Sequence, residues 1–138
     1  MSGPATQFPF VARDPALGSA SLAPMMPITL NGPQSLTVSA LLDTGAAVNV
    51  LPYAIGTQLG FLWDQQTTTV QLTGNLASVE ARVVLLSATV AAFPPVRLAF
   101  AWAKQDSMPV ILGQVNFFLE FDVCFFRSRA LFDVRPKS

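Results

Sequence analysis

Leu41-Leu42-Asp43-Thr44-Gly45-Ala46 is the stretch that decides how this chain folds. Two apolar residues lead a carboxylate out of an apolar strand into a tight loop. An isolated ionised aspartate in such a place is costly unless donors or a charge-sharing partner accompany it. Thr44 offers a hydroxyl that can lock the loop, and Gly45, lacking a Cβ, lets another backbone come close. Upstream, Leu36, Val38, Ala40 and Leu42 alternate with Ser35, Thr37 and Ser39. That period of two marks a strand with one buried face. Asn31 and Gly32 supply the turn of a hairpin running from Pro27 to Leu42. Downstream, residues 48–51 form a second short strand. Pro52 can open a helical turn and Gly60 can end it.

Further out, the β pattern continues. Residues 67–73 and 76–86 flank Gly74 and Asn75, a second hairpin signal, with Val79, Ala81, Val83 and Leu85 expected on one side. Val96 to Ala103 reads as a strand, and Val110 to Leu112 as a very short buried one ending at Gly113. Residues 114–119 suit a turn or two of helix. Phe121 to Phe126 and Ala130 to Val134 close the chain as strands, and the phenylalanines around them read as core. No long helical period appears, so the class is all-β. Residues 1–24, rich in Pro, Ala, Ser and Gly, read as a flexible or extended N-terminal arm. Residues 25–138 then form a single domain.

Composition excludes much chemistry. The chain has no histidine and one cysteine. A Ser-His-Asp site, a His/Cys zinc site and an internal disulfide are therefore out of reach. Cys124, between Val123 and Phe125, reads as a buried thiol. Eight basic and eight acidic residues balance, so no cationic face for nucleic acid is expected. No apolar run approaches the roughly 20 residues of a membrane helix, and no signal peptide stands out. A cytoplasmic location without membrane attachment is the default expectation. The chain is 51% hydrophobic and only 12% charged, which suggests that a partner covers apolar surface.

Asp43-Thr44-Gly45-Ala46, then Val50-Leu51-Pro52, then a hairpin tipped by Gly74, then Ile111-Leu112-Gly113 with a helix behind it, resembles the retropepsin family of aspartic proteases. The resemblance runs from about Met26 to the C-terminus and favours single-domain, bacterial-type members. It implies a closed acid-protease barrel with one short helix, assembled as a homodimer. Asp43 would be the catalytic acid and base, and Thr44, Gly45 and Ala46 the rest of the active-site loop. Leu72, Thr73, Gly74 and Asn75 would form the flap over the substrate. Pro109 and Ile111 would wall a subsite, and Gly113 would let the chain pass close to the loop.

Peptide hydrolysis of this kind needs one group to activate water and another to protonate the departing amine. Two carboxylates sharing one proton supply both. None of Asp14, Asp64, Asp106, Asp122 and Asp133 is followed by a Thr-Gly or Ser-Gly pair. A two-fold axis beside Asp43 would supply the second carboxylate. The implied activity is that of an endopeptidase acting on peptide or protein, with no metal or organic cofactor. The alternative is a dimerising or peptide-binding module with little turnover. One departure stands out: viral members often carry acids after the motif and an arginine after the later glycine, where this chain has Ala47, Val48 and Gln114. Their charged link cannot form here.

Overall fold

The computed structural model describes residues 4–73 and 78–138. Strands β1 (Thr6–Pro9), β2 (Val11–Ala12) and β3 (Leu22–Ala23) lead into β4 (Met25–Asn31), β5 (Ser35–Leu42) and β6 (Asn49–Leu51). Helix α1 (Tyr53–Gln58) precedes β7 (Thr69–Thr73), β8 (Ser78–Thr89), β9 (Val96–Ala103) and β10 (Val110–Leu112). Helix α2 (Phe117–Glu120) precedes β11 (Phe121–Phe126) and β12 (Leu131–Pro136).

Seven strands pair in the order β4-β5-β10-β6-β9-β8-β7, and β4 also pairs with β8. This last pairing closes six of them into a barrel and leaves β7 outside the ring on β8. Closure removes exposed sheet edges. The barrel's inner faces follow the sequence period. Met26, Ile28 and Leu30 of β4 meet Ala40 and Leu42 of β5, with Leu98, Phe100 and Trp102 of β9, all buried. Each such side chain contributes roughly 1.5–3 kcal/mol by leaving water. Strand β10 lies parallel to β5 and antiparallel to β6. Its register sets Leu112 beside Leu42, so Gly113 and Asp43 leave the sheet side by side.

A second sheet, β1-β12-β11, uses the chain's two ends. Phe8 stacks on Phe132 at 5.5 Å and Phe10 meets the same ring edge-on at 5.9 Å. Residues 6–9 are thus extended and paired with β12, while residues 11–20 are exposed.

Three expectations change. Two short α-helices are present rather than one, because residues 53–58 complete a full α turn behind Pro52. Cys124 is exposed, not buried. Phe121, Val123 and Phe125 take the inward positions of β11, and a period of two leaves Asp122 and Cys124 outside. In β8 the odd-numbered face does not stay apolar-buried. Val79 and Val83 face the cleft described below, but Leu85 is exposed and the core side passes to Val84, Leu86 and Ala88. The strand runs from a hairpin wall into the barrel, so each half buries the opposite face.

The tryptophans pack. Trp102 stacks on Tyr53 at 5.5 Å, meets Trp63 edge-on at 5.1 Å, and donates its indole N–H to the Tyr53 carbonyl. Residue 56 must be glycine, because any Cβ there would overlap the Trp102 indole.

Candidate active site

Asp43 follows the last residue of β5 and is half-buried. Its backbone N–H donates to the Leu112 carbonyl at 2.9 Å, and its own carbonyl accepts from Ala46 at 3.1 Å. Its Oδ1 accepts the Gly45 N–H at 2.9 Å. Thr44 and Gly45 are exposed, and Ala46 is half-buried. The loop is a tight turn folded around its own carboxylate.

A second segment holds this turn. Gln114 and Val115 donate their backbone N–H groups to the carbonyls of Ala46 and Ala47, each at 2.9 Å. The Gln114 side-chain amide donates to the Thr44 carbonyl at 2.8 Å. The two stretches run so close that a Cβ on Gly113 would press into the Val48 carbonyl and stand 2.8 Å from that of Ala46. Only glycine tolerates such contact with backbone.

Asn49 anchors the crossing and is fully buried. Its Oδ1 accepts the Gly113 N–H at 2.8 Å, and its Nδ2 donates to the Ala99 carbonyl at 2.9 Å. Asn116 continues the chain of amides, accepting from Ala99 N–H at 3.0 Å and donating to the Arg97 carbonyl at 3.0 Å. Burial of an amide is tolerated when its donors and acceptor are matched, as here. The clue in the sequence was a lone asparagine inside the apolar run from Val48 to Leu51.

Beside the loop lies an open cleft of about 800 Å³. Gly45, Ala46, Ala47 and Val48 line it from the loop; Leu72, Thr73, Val79 and Val83 line it from β7 and β8. Phe100, Met108 and Ile111 complete much of the wall. Among the described residues, none of the lining side chains is charged. Pro109, named from sequence beside Ile111, lines a smaller neighbouring groove with Val38 and Ile55. Met108 borders both spaces and was not singled out from sequence. Gly74 and Asn75 lie outside the described residues.

Three other aspartates are engaged elsewhere. Asp106 accepts the Ala54 N–H at the start of α1, Asp14 accepts that of Ala16, and Asp133 accepts from the Gln7 amide. Among the described residues, no group of acids or cysteine could hold a metal ion. No helix there is long and apolar enough to cross a membrane.

Residues 26–115, from the first barrel strand through the segment that holds the Asp43 loop, match the aspartyl protease family model. The chain belongs to the aspartyl protease family. Its fold is similar to that of a retropepsin-like aspartic protease from Rickettsia conorii, with a TM-score of 0.70, 14% identity, and coverage of 99% of this chain and 96% of that one. EIAV protease in complex with the inhibitor HBY-793 matches at a TM-score of 0.51 and 23% identity, covering 67% of this chain and 82% of that one. The retroviral protease-like domain of Ddi1 from Leishmania major matches at 0.58 and 16% identity, covering 72% and 79%. No curated protein matches the chain significantly in sequence. This aspartyl protease family member therefore shares a retropepsin-like fold with viral, bacterial and eukaryotic proteins from which its sequence is remote.

Proposed function

We propose that the protein is an aspartic endopeptidase that works as a homodimer, with Asp43 of each subunit forming a carboxylate pair around the attacking water. The observation that carries this is the placement of Asp43. It sits on a tightly hydrogen-bonded turn beside an uncharged cleft, and one chain offers no second carboxylate on that turn. A second copy related by a two-fold axis supplies it. Val115, which bridges Val48 just after the loop, and Leu119, four residues further on, are exposed apolar side chains suited to burial between subunits. Thr44, at the exposed tip, would brace the two loops against each other.

The shared proton lets one carboxylate act as base towards water while the other protonates the leaving nitrogen. The uncharged cleft suits a peptide lying extended, with aliphatic or aromatic side chains against Val48, Leu72, Val79 and Ile111. Activity then follows a bell in pH, with an acidic optimum on the order of pH 4 to 6 by analogy with other carboxylate dyads.

The test is cleavage of a mixed peptide library by the purified full chain, with Asp43→Asn as control. The variant should lose about 10⁴-fold or more in rate while keeping its circular dichroism, since one substitution removes both the base and the acid. Specific activity should fall on dilution as sedimentation shows monomer appearing. Near-normal turnover by Asp43→Asn, or constant specific activity in fully monomeric protein, contradicts the proposal. Peptide binding without cleavage by the wild type would point to the module reading.

A further inference from the structure

The bond from Gln114 to the loop lands at a particular place. Thr44 C=O and Gly45 N–H belong to one peptide unit, which is planar and moves as a body. The C=O end of that unit accepts Gln114 Nε2–H at 2.8 Å. The N–H end donates to Asp43 Oδ1 at 2.9 Å. A side chain and the motif carboxylate thus hold opposite ends of the same peptide plane. Hydrogen bonds in such a series also polarise one another.

The main chain of the neighbouring segment cannot do this work. The backbone N–H groups of Gln114 and Val115 are already committed to Ala46 and Ala47. Gly113 N–H is committed to Asn49. The Thr44 carbonyl lies two residues before the Ala46 carbonyl they reach, and the Gln114 side chain spans the gap. Gln114 is itself exposed, so burial gives it no core-packing role.

We infer that Gln114 is a positioning residue. By donating to the Thr44 carbonyl it fixes the Thr44–Gly45 peptide plane, and through Gly45 N–H it fixes the orientation of the Asp43 carboxylate. It does so without charge, where an arginine with acidic partners would tie the loop electrostatically. The inference rests on the proposed role of Asp43 for its effect on rate, but the contact can be tested without any reaction.

Three substitutions in the full chain separate donor from shape. Gln114→Met keeps the length and removes the donor. Gln114→Arg keeps an N–H, its Nε lying the same number of bonds from Cα as Gln Nε2. Gln114→Glu donates only while protonated. Asp43 is the adjoining titratable group, so every variant is compared with wild type at the same pH. For Gln114→Met, kcat should fall roughly 3- to 10-fold at every pH, as for one lost hydrogen bond, with KM little changed. Gln114→Arg should stay within about twofold of wild type, because it restores the donor. Gln114→Glu should match wild type at low pH and fall towards Gln114→Met as pH rises. An ordinary glutamate titrates near ~4.3. A carboxyl that donates in its neutral form titrates higher, so loss should begin somewhat above that value.

Hydrogen–deuterium exchange over residues 43–48 gives the same ordering without catalysis. Exchange should be faster than wild type in Gln114→Met, unchanged in Gln114→Arg and pH-dependent in Gln114→Glu. A wild type that cleaves nothing would sink the proposed function, yet the exchange series would still decide the role of Gln114. Wild-type exchange and rate in Gln114→Met, equal losses in the Met and Arg variants, or a pH-independent ratio in Gln114→Glu would each overturn it.

Discussion

The loop around Asp43 and the β7–β8 hairpin line the same cleft, but they are held in different ways. The loop is tied by a second, distant stretch of chain. The carbonyls of Thr44, Ala46 and Ala47 each accept a bond from Gln114 or Val115. Beneath it, Asn49 and Asn116 lock the crossing to β9. The hairpin's outer strand β7 is bonded along one side to β8, with Thr69, Gln71 and Thr73 exposed. Below it β8 runs on into its ladder with β9, and one side chain adds a tie at the base. There Arg82 donates to the Trp63 carbonyl at 2.7 Å and lies over the Trp63 ring at 4.6 Å. Under the proposed function, the difference is a division of labour. Carboxylate chemistry needs a site held to a fraction of an ångström, whereas the opposite wall would have to admit a peptide.

Substitutions at the two walls should separate in size and in kind. The largest effect is expected for Gly113→Val. Its branched side chain would meet backbone carbonyls, which cannot swing aside, so it should cost about 3 kcal/mol or more and leave little folded protein. Soluble Gly113→Val with a wild-type thermal midpoint would show that the loop crossing is looser than described. Next comes Asn49→Leu, which leaves the Gly113 N–H and the half-buried Ala99 carbonyl without the amide. Urea titration should show a loss of about 1–3 kcal/mol for each group left unsatisfied. A loss under half a kilocalorie would mean that water or a shift in Asn116 replaces the amide.

The hairpin wall should respond more mildly. Arg82→Met removes one charge-assisted bond, one cation–π contact and a loose ion pair with Glu80 at 3.8 Å. It also relieves a buried Nε without a partner among the described atoms. The net cost should be about 1 kcal/mol, with KM for a peptide raised more than kcat is lowered. A pure kcat defect would place Arg82 in control of the loop instead. The smallest effect on stability belongs to Leu72→Ala, half-buried on a cleft wall. Its unfolding free energy should change by about 0.5 kcal/mol or less. Preference among substrates with large and small aliphatic side chains should nonetheless shift several-fold. Unchanged preference would remove Leu72 from the substrate-contacting wall.

Sequence alone specified a good deal of this protein. The alternation from Leu36 to Leu42, the break at Asp43 and the short runs at residues 96–103 and 110–112 located strands closely. A period of two and its turns are local properties of the chain. The Asp43-Thr44-Gly45 loop was legible for the same reason: its residues are contiguous. What pairs with what was not local. Nothing in the order of residues says that β10 lies between β5 and β6, or that β4 closes the barrel onto β8. Nor does it say that Gln114 reaches a carbonyl 70 positions away. The depth of Asn49, the exposure of Cys124 and the sharing of Met108 between two spaces also depend on which face each strand turns inward. A strand's pattern shows that it has two faces. Which one meets the core, the cleft or solvent is set by the neighbours that closure brings, because burial is a property of the assembled sheet.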